Sequence, residues 1–294
     1  MHKPARATLT ALLGAALPLV ASLLPGLAAA QTHEVRGSAM ATAYQLAPAE
    51  DITRSPSFIF SAPQPGASLP QTANGEVLLS NGARAQATVT ASMGTLKAYT
   101  HAAYAYSTSI TGMAAANASV TFNDTVLVQG AALPLGTPVS YRFDLSVDAS
   151  FQQLLGTPGS DSNFVYALAT TLLRVLDTTS QEQAQFVWDP RQQPNGLYSV
   201  FINTQVGRRL YLTGNIQATA QATSYGVPLS PHTATADLGH TALYYLVPSV
   251  AGLNTTGLSG HDYVAAAVPE PATWLLMALG VAGIAVRRCA RRDA

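Results

Sequence analysis

Two prolines flank one carboxylate in Val268-Pro269-Glu270-Pro271. Proline fixes φ, removes an N–H and pushes the residue before it into an extended conformation. The strip therefore joins neither a helix nor a ladder, and an enzyme at a membrane edge could read it. Other residues invite other chemistry. Trp188 precedes a turn-rich loop, Asp189-Pro190-Arg191-Gln192-Gln193-Pro194-Asn195-Gly196. An exposed Trp188 ring beside Arg191 and amide donors could stack on a sugar and bond its hydroxyls; the bland reading makes Trp188 a core residue. Tyr99, Tyr104 and Tyr106 add aromatics on one nearby segment.

Ser259-Gly260-His261-Asp262 suggests a hydrolase, but it is not G-x-S-x-G, and neighbours on an extended segment point apart. Asp144 and Asp148 share one strand face with Arg142. Their Cα atoms should lie about 13 Å apart, beyond the roughly 5–9.5 Å carboxyl spacing of glycosidases. Asp161 and Asn163 resemble a fragment of a calcium loop that no glutamate completes. His33, His101, His232, His240 and His261 show no paired ligand spacing, and His2 lies in the leader. No catalytic residue, metal ligand or cofactor is assigned, and the protein is expected not to be an enzyme.

The elements that must position these residues begin at the two ends. Residues 1–30 read as a cleaved signal peptide: Lys3 and Arg6, an apolar stretch from Leu9 to Leu24, then Ala28-Ala29-Ala30 before Gln31. Ala28 and Ala30 are the small residues that a signal peptidase requires. The Sec translocon and signal peptidase are the expected partners. A second apolar stretch covers 272–286 and is followed by Arg287, Arg288, Arg291 and Arg292. Its length as a helix, about 22 Å, is short for a bilayer core of about 30 Å. The arginines place the tail in the cytoplasm and the body outside.

Val-Pro-Glu-Pro, a short apolar segment and an arginine cluster, in that order, resemble the PEP-CTERM sorting signal over 268–292. The same tail also goes under the description of an ice-binding protein C-terminal domain. The resemblance implies export in a Gram-negative bacterium, anchoring in the inner membrane by one transmembrane helix, and processing by an exosortase, an integral-membrane cysteine transpeptidase. It also implies association with exopolysaccharide and the biofilm matrix. Cys289 departs from an all-arginine cluster. An ice-binding surface would need a regular threonine ladder, whereas Thr88-Val89-Thr90 and Thr233-Ala234-Thr235 are isolated.

The chain has 294 residues, 48% hydrophobic and 10% charged, with no net charge. Soluble domains usually carry about 25% charged residues. The scarcity of charge excludes a coiled coil and a charge-rich disordered chain. Between the ends, 31–267, nine Lys and Arg face 13 Asp and Glu. A mildly acidic body argues against nucleic acid as a partner. The one cysteine, Cys289, lies in the tail, so the body holds no disulfide.

Val139, Tyr141, Phe143, Leu145 and Val147 alternate with Ser140, Arg142, Asp144, Ser146 and Asp148. That is a strand with one buried face. Similar alternation runs through Ala85–Ser92, Ala118–Asn123 and Ile216–Thr223, and further strands are expected at 96–108, 198–206, 209–213 and 242–248. Residues 163–177 fit a helix or a strand equally. Many turn-bounded strands without helices predict an antiparallel β-sandwich or jelly roll. The body, 31–248, is expected to begin with an irregular arm or edge strands over 31–75 and to be followed by a linker over 249–267. It also resembles other PEP-CTERM β-sandwich proteins in Ala118–Thr125, Gly136–Val139, Ala236–Thr241 and Ser259–Tyr263. That likeness implies architecture and no activity.

The expected function is that of an exported, exosortase-processed surface or matrix protein. A carbohydrate-binding module, resting on Trp188 and Arg191, is the first alternative and a membrane-tethered hydrolase the second.

Overall fold

The computed structural model describes residues 33–46, 49–61, 70–80, 82–104, 112–153, 164–224, 232–239 and 242–264. The expected signal peptide, the sorting motif and the apolar stretch 272–286 lie outside them. Among the described residues no helix is long and apolar enough to cross a membrane.

In chain order the strands are β1 (Glu34–Leu46), β2 (Ala49–Arg54), β3 (Ser57–Ser61), β4 (Gln71–Leu78), β5 (Arg84–Ser92), β6 (Thr95–Tyr104), β7 (Gly112–Leu127) and β8 (Pro138–Val147). There follow β9 (Ser150–Gln152), β10 (Phe164–Asp177), β11 (Gln183–Trp188), β12 (Gly196–Gln205), β13 (Arg209–Ser224), β14 (His232–Asp237) and β15 (Ala242–Pro248). They form two antiparallel sheets. One runs β11-β10-β13-β7-β1-β2, with β3 also on β1. The other runs β12-β8-β15-β6-β14-β9, with β5 on β6 and β4 beyond it. The expected antiparallel, sandwich-like all-β body is what forms.

Period-two alternation turns one face of each strand inward. The inner residues grade in size along the strands. On β7, Ala114, Ala116 and Ala118 give way to Val120, Phe122 and Val126, all buried. On β13, Ala222, Ala220 and Ala218 give way, in the reverse chain direction, to Ile216, Leu212 and Leu210. One end of the core is therefore filled by alanine methyls, and the sheets must approach closely there. The other end is held apart by Phe122, Phe143, Tyr244 and Tyr263. Phe122 and Tyr244 meet edge to face, with centroids 4.9 Å apart. A side chain at Gly214 would overlap both rings, so their packing requires the glycine.

Two expectations change and one ambiguity is resolved. The stretch 31–75 supplies four strands in its described part, and β1 lies inside its sheet, paired with β7 from Glu34 to Gln45. The described part of 163–177, open between helix and strand in the sequence, is strand β10, paired along its whole length with β13. The described part of the expected linker is packed. Residues 253–264 form a hairpin, closed by the Thr256–Asp262 bridge and by Gly257 N–H to His261 O at 2.8 Å. One side pairs with β7 through Val126–Gly257. The other reaches β15, where Leu246 N–H donates to Tyr263 O at 2.8 Å. The hairpin thus joins the two sheets.

Candidate functional site

Register decides which side chains meet the outside. Trp188 on β11 pairs with Thr171 on β10, an inward position, so the indole turns into the core. It is 0% exposed. Its ring packs beside Phe151, centroids 6.3 Å apart, and its Nε1–H donates to Pro194 O at 2.9 Å. Arg191 folds back on Asp189, with Nη2 2.6 Å from Oδ2 and Nε 3.0 Å from Oδ1. This hydrogen bond, working against burial, holds the Asp189 carboxyl below the usual carboxylate range. The loop is satisfied within itself; Trp188 is the core residue of the bland reading, and the alternative stacking platform with Arg191 is not present. Tyr104 is buried as well, and Tyr106 lies outside the described residues.

An exposed aromatic beside an arginine does occur, one strand away. On β12, Leu197 and Phe201 face outward, 60% and 69% exposed. Phe201 pairs with Arg142 on β8, which pairs with Val247 on β15. The neighbouring row is Ser199, Asp144 and Tyr245. Asp144 is buried among these side chains. It accepts Arg142 Nε–H on both oxygens, at 2.8 and 3.0 Å, and the Ser199 hydroxyl at 2.7 Å. The two terminal amino groups of Arg142 have no hydrogen bond among the described residues, and the side chain is partly open to solvent. Burial pushes the Tyr245 phenol up. Asp148, expected to share a wet face with Asp144, instead accepts Asn195 Nδ2–H at 3.1 Å. The two carboxylates serve separate contacts.

The alternation around Phe201 carries a signal that the sequence reading missed. Tyr198, Val200, Ile202 and Thr204 share one face, while Leu197, Ser199, Phe201 and Asn203 share the more polar one. On β11 the same logic groups Trp188 with Ala184 and Phe186, the inward set.

Ser259 and His261 meet a partner that sequence distance hides. Asp124, fully buried on β7, accepts Ser259 Oγ–H at 2.5 Å, Ser259 N–H at 3.2 Å, Thr125 N–H at 2.8 Å and Tyr263 Oη–H at 3.0 Å. Burial first, and the Asp124 charge second, push the Tyr263 phenol well up. His261 sits edge-on to Tyr263, centroids 4.6 Å apart, and burial lowers its imidazole despite the nearby carboxylates. Asp262 accepts the Thr255 hydroxyl at 2.7 Å. The serine proton points at a carboxylate rather than at a histidine, so the cluster clamps the hairpin. A side chain at Gly257 would overlap the Asp124 carboxylate, so the close approach requires that glycine.

His101 shares a hydrogen with Thr235 across β6 and β14, Nδ1 to Oγ1, at 3.0 Å. Among the described residues no three His, Cys, Asp or Glu side chains converge as metal ligands. Asp161, Asn163, His240, the side chain of His232, the peptidase residues Ala28, Ala30 and Gln31, and the sorting residues Val268, Pro269, Glu270, Pro271, Arg287 and Arg288 lie outside the described residues.

No curated protein matches the chain in sequence. A solved structure, described as carbohydrate-binding modules from the β-sandwich superfamily, aligns at 10% identity over 69% of this chain and 84% of that one. Its TM-score is 0.14, and the likeness carries no argument about this chain. Residues 267–292 match the family model of the PEP-CTERM protein-sorting motif. At the end of its β-rich body, the chain thus carries a PEP-CTERM protein-sorting motif.

Proposed function

We propose that the protein is an exported β-sandwich that an exosortase processes at its C-terminus, and that the released body serves as a non-catalytic component of the cell surface or extracellular matrix. The motif match at 267–292 carries this reading. The motif implies export, anchoring at the C-terminus and exosortase-dependent sorting to the cell surface. The body supports a role beside polysaccharide by its chemistry. Its outer faces include paired neutral donors and acceptors, such as Asn117 with Thr219 and Thr121 with Asn215. The intact mass of the mature protein, from the native host with and without its exosortase, tests the proposal. Both ends should be trimmed, and the C-terminal cut should vanish without the enzyme. A retained tail in both strains would refute it.

A second reading, a carbohydrate-binding module, is favoured by the Phe201–Arg142 row. An open aromatic face and free guanidinium N–H groups side by side suit the C–H face and vicinal hydroxyls of a sugar. Titrating host exopolysaccharide against the mature protein should give an affinity that Phe201→Ala weakens by about tenfold, the loss of roughly 1.4 kcal/mol. Equal binding by the variant would remove this reading. No observation favours the hydrolase alternative.

A further inference from the structure

The chain leaves for its sorting motif from one end of the sandwich. Three segments meet there. The β7–β8 loop, 128–137, is tied to the β12–β13 turn by Gly136 N–H to Val206 O at 2.9 Å and Gly207 N–H to Val128 O at 2.7 Å. It is tied to 249–254 by the Gly130–Leu253 bridge and by Asn254 N–H to Gln129 O at 2.8 Å. The hairpin then runs up to Asp124, turns at Gly260 and returns. Tyr263 N–H donates to Thr255 O at 3.2 Å, which brings Val264 back beside Asn254.

Neither 128–138 nor 248–260 contains a charged residue; on the return to Val264, the Asp262 carboxylate accepts the Thr255 hydroxyl and the Val264 amide. The tips instead present apolar side chains. Leu135 is 83% exposed, Val250 42% and Val264 56%. Ala131, Ala132 and Ala251 are exposed as well. Arg208, in the β12–β13 turn at this end, is engaged with the buried Asp177 at 3.3 Å. Exposed apolar loops grouped at one end of a soluble domain mark an interaction surface. Exposed loop tips of this kind suit insertion into a soft interface better than the capture of a protein segment.

The chain beyond this end determines what the tips meet. From Val264 to Ala272, where the apolar stretch begins, there are eight Cα-to-Cα steps. Fully extended they reach about 28 Å at most. The headgroup zone takes up roughly 5–8 Å of that reach. The earlier expectation of a linker over 249–267 would have let the body stand away from the membrane. The packed hairpin removes most of that length.

We infer that, before exosortase cleavage, the Leu135, Val250 and Val264 end of the sandwich rests on the lipid bilayer, with these side chains in the headgroup layer. The inference relies on the reading of 272–286 as a membrane anchor. It assigns the body one orientation at the membrane, with the Phe201–Arg142 face directed sideways, along the membrane surface.

The uncleaved full chain in pure lipid vesicles tests it. Cys289→Ser removes the one native thiol, and single cysteines at Leu135, Val250 or Ala49 carry an environment-sensitive fluorophore. Ala49 is exposed next to the Gln45–Gly112 pair, at the opposite end of β1 and β7. Labels at 135 and 250 should shift to the blue and be quenched by headgroup nitroxide lipids roughly twofold or more over the label at 49, as expected for side chains entering the interface. Leu135→Asp with Val250→Asp, labelled at Ala251, should lose the shift. Equal quenching at all three positions in floating vesicles would overturn the docking while leaving the anchor intact. A chain that does not float with the vesicles would overturn the anchor reading and the docking with it. A shift seen only when exosortase is also in the membrane would overturn the lipid as partner in favour of that protein.

Discussion

Replacing Asp124 tests whether the clamp holds the hairpin to the sandwich. Four donors converge on this carboxylate: the Thr125 and Ser259 amides and the Ser259 and Tyr263 hydroxyls. Thr125, Ser259 and Tyr263 are all buried, so water cannot replace a lost acceptor without rearrangement. A buried donor left unpaired costs about 1–3 kcal/mol. Deleting the carboxylate also removes its own desolvation cost, and the hairpin can relax outward. Asp124→Ala should therefore destabilise the mature protein by about 3–5 kcal/mol, in the range for breaking a buried charged network. Asp124→Asn keeps the shape and one acceptor but turns an NH₂ toward donors; it should cost less, about 1–3 kcal/mol. Urea unfolding of the mature protein followed by Trp188 fluorescence measures the difference. Hydrogen exchange shows where it falls: protection should be lost first in 253–264, at Gly257, Leu258 and Tyr263. An Asp124→Ala protein within about 1 kcal/mol of the parent, with those amides still protected, would refute the clamp.

Trp188→Ala should cost about 3–5 kcal/mol, as expected for emptying a core site, while leaving polysaccharide affinity at its parent value; denaturant midpoints and a binding titration on one sample separate the two. Gly214→Ala should cost about 1–3 kcal/mol by overpacking Phe122 against Tyr244, and the near-ultraviolet circular dichroism of these rings should change with it. The Asp177 carboxyl is subject to burial, which raises it. The Thr204 hydroxyl, the Ser180 and Thr179 amides and Arg208 outweigh that and hold it below its usual range. A depressed folded value means that stability is present at neutral pH and is lost as the pH falls below about 4 and through the folded value. Asp177→Asn should flatten this part of the stability–pH curve, and an unchanged acid limb would show that the group is not linked to folding.

Particular strands show what was readable. Val139–Val147 contrasts bulky apolar with polar residues at every step, and its inward set is buried as the alternation predicts. β1 obeys the same rule with Ala39, Ala41 and Ala43 against Ser38, Met40 and Thr42. Alanine methyls give little contrast, and the prolines nearby suggest an arm. The strand exists because the partner faces are also alanine and the sheets close on one another. Trp188 stands in step with Phe186, so its core position is legible, although an aromatic before a polar loop also admits an exposed sugar platform. The hairpin looked like a linker because what anchors it, Asp124, lies 135 residues before Ser259.

The sorting motif needs no fold to be legible. Proline geometry, an apolar run and adjacent cations act locally, through backbone restriction and the cost of burying charge in lipid, so residues 267–292 declare themselves in one dimension. The alternation of the body likewise determined an all-β class, since period two admits no other regular packing. Only the tertiary structure decided which polar groups meet. Arg142 with Ser199 around Asp144, and Ser259 with Tyr263 on Asp124, join strands far apart in the chain. Such contacts depend on register and on the closure of long loops, and these follow from the packing of both sheets together rather than from any one segment.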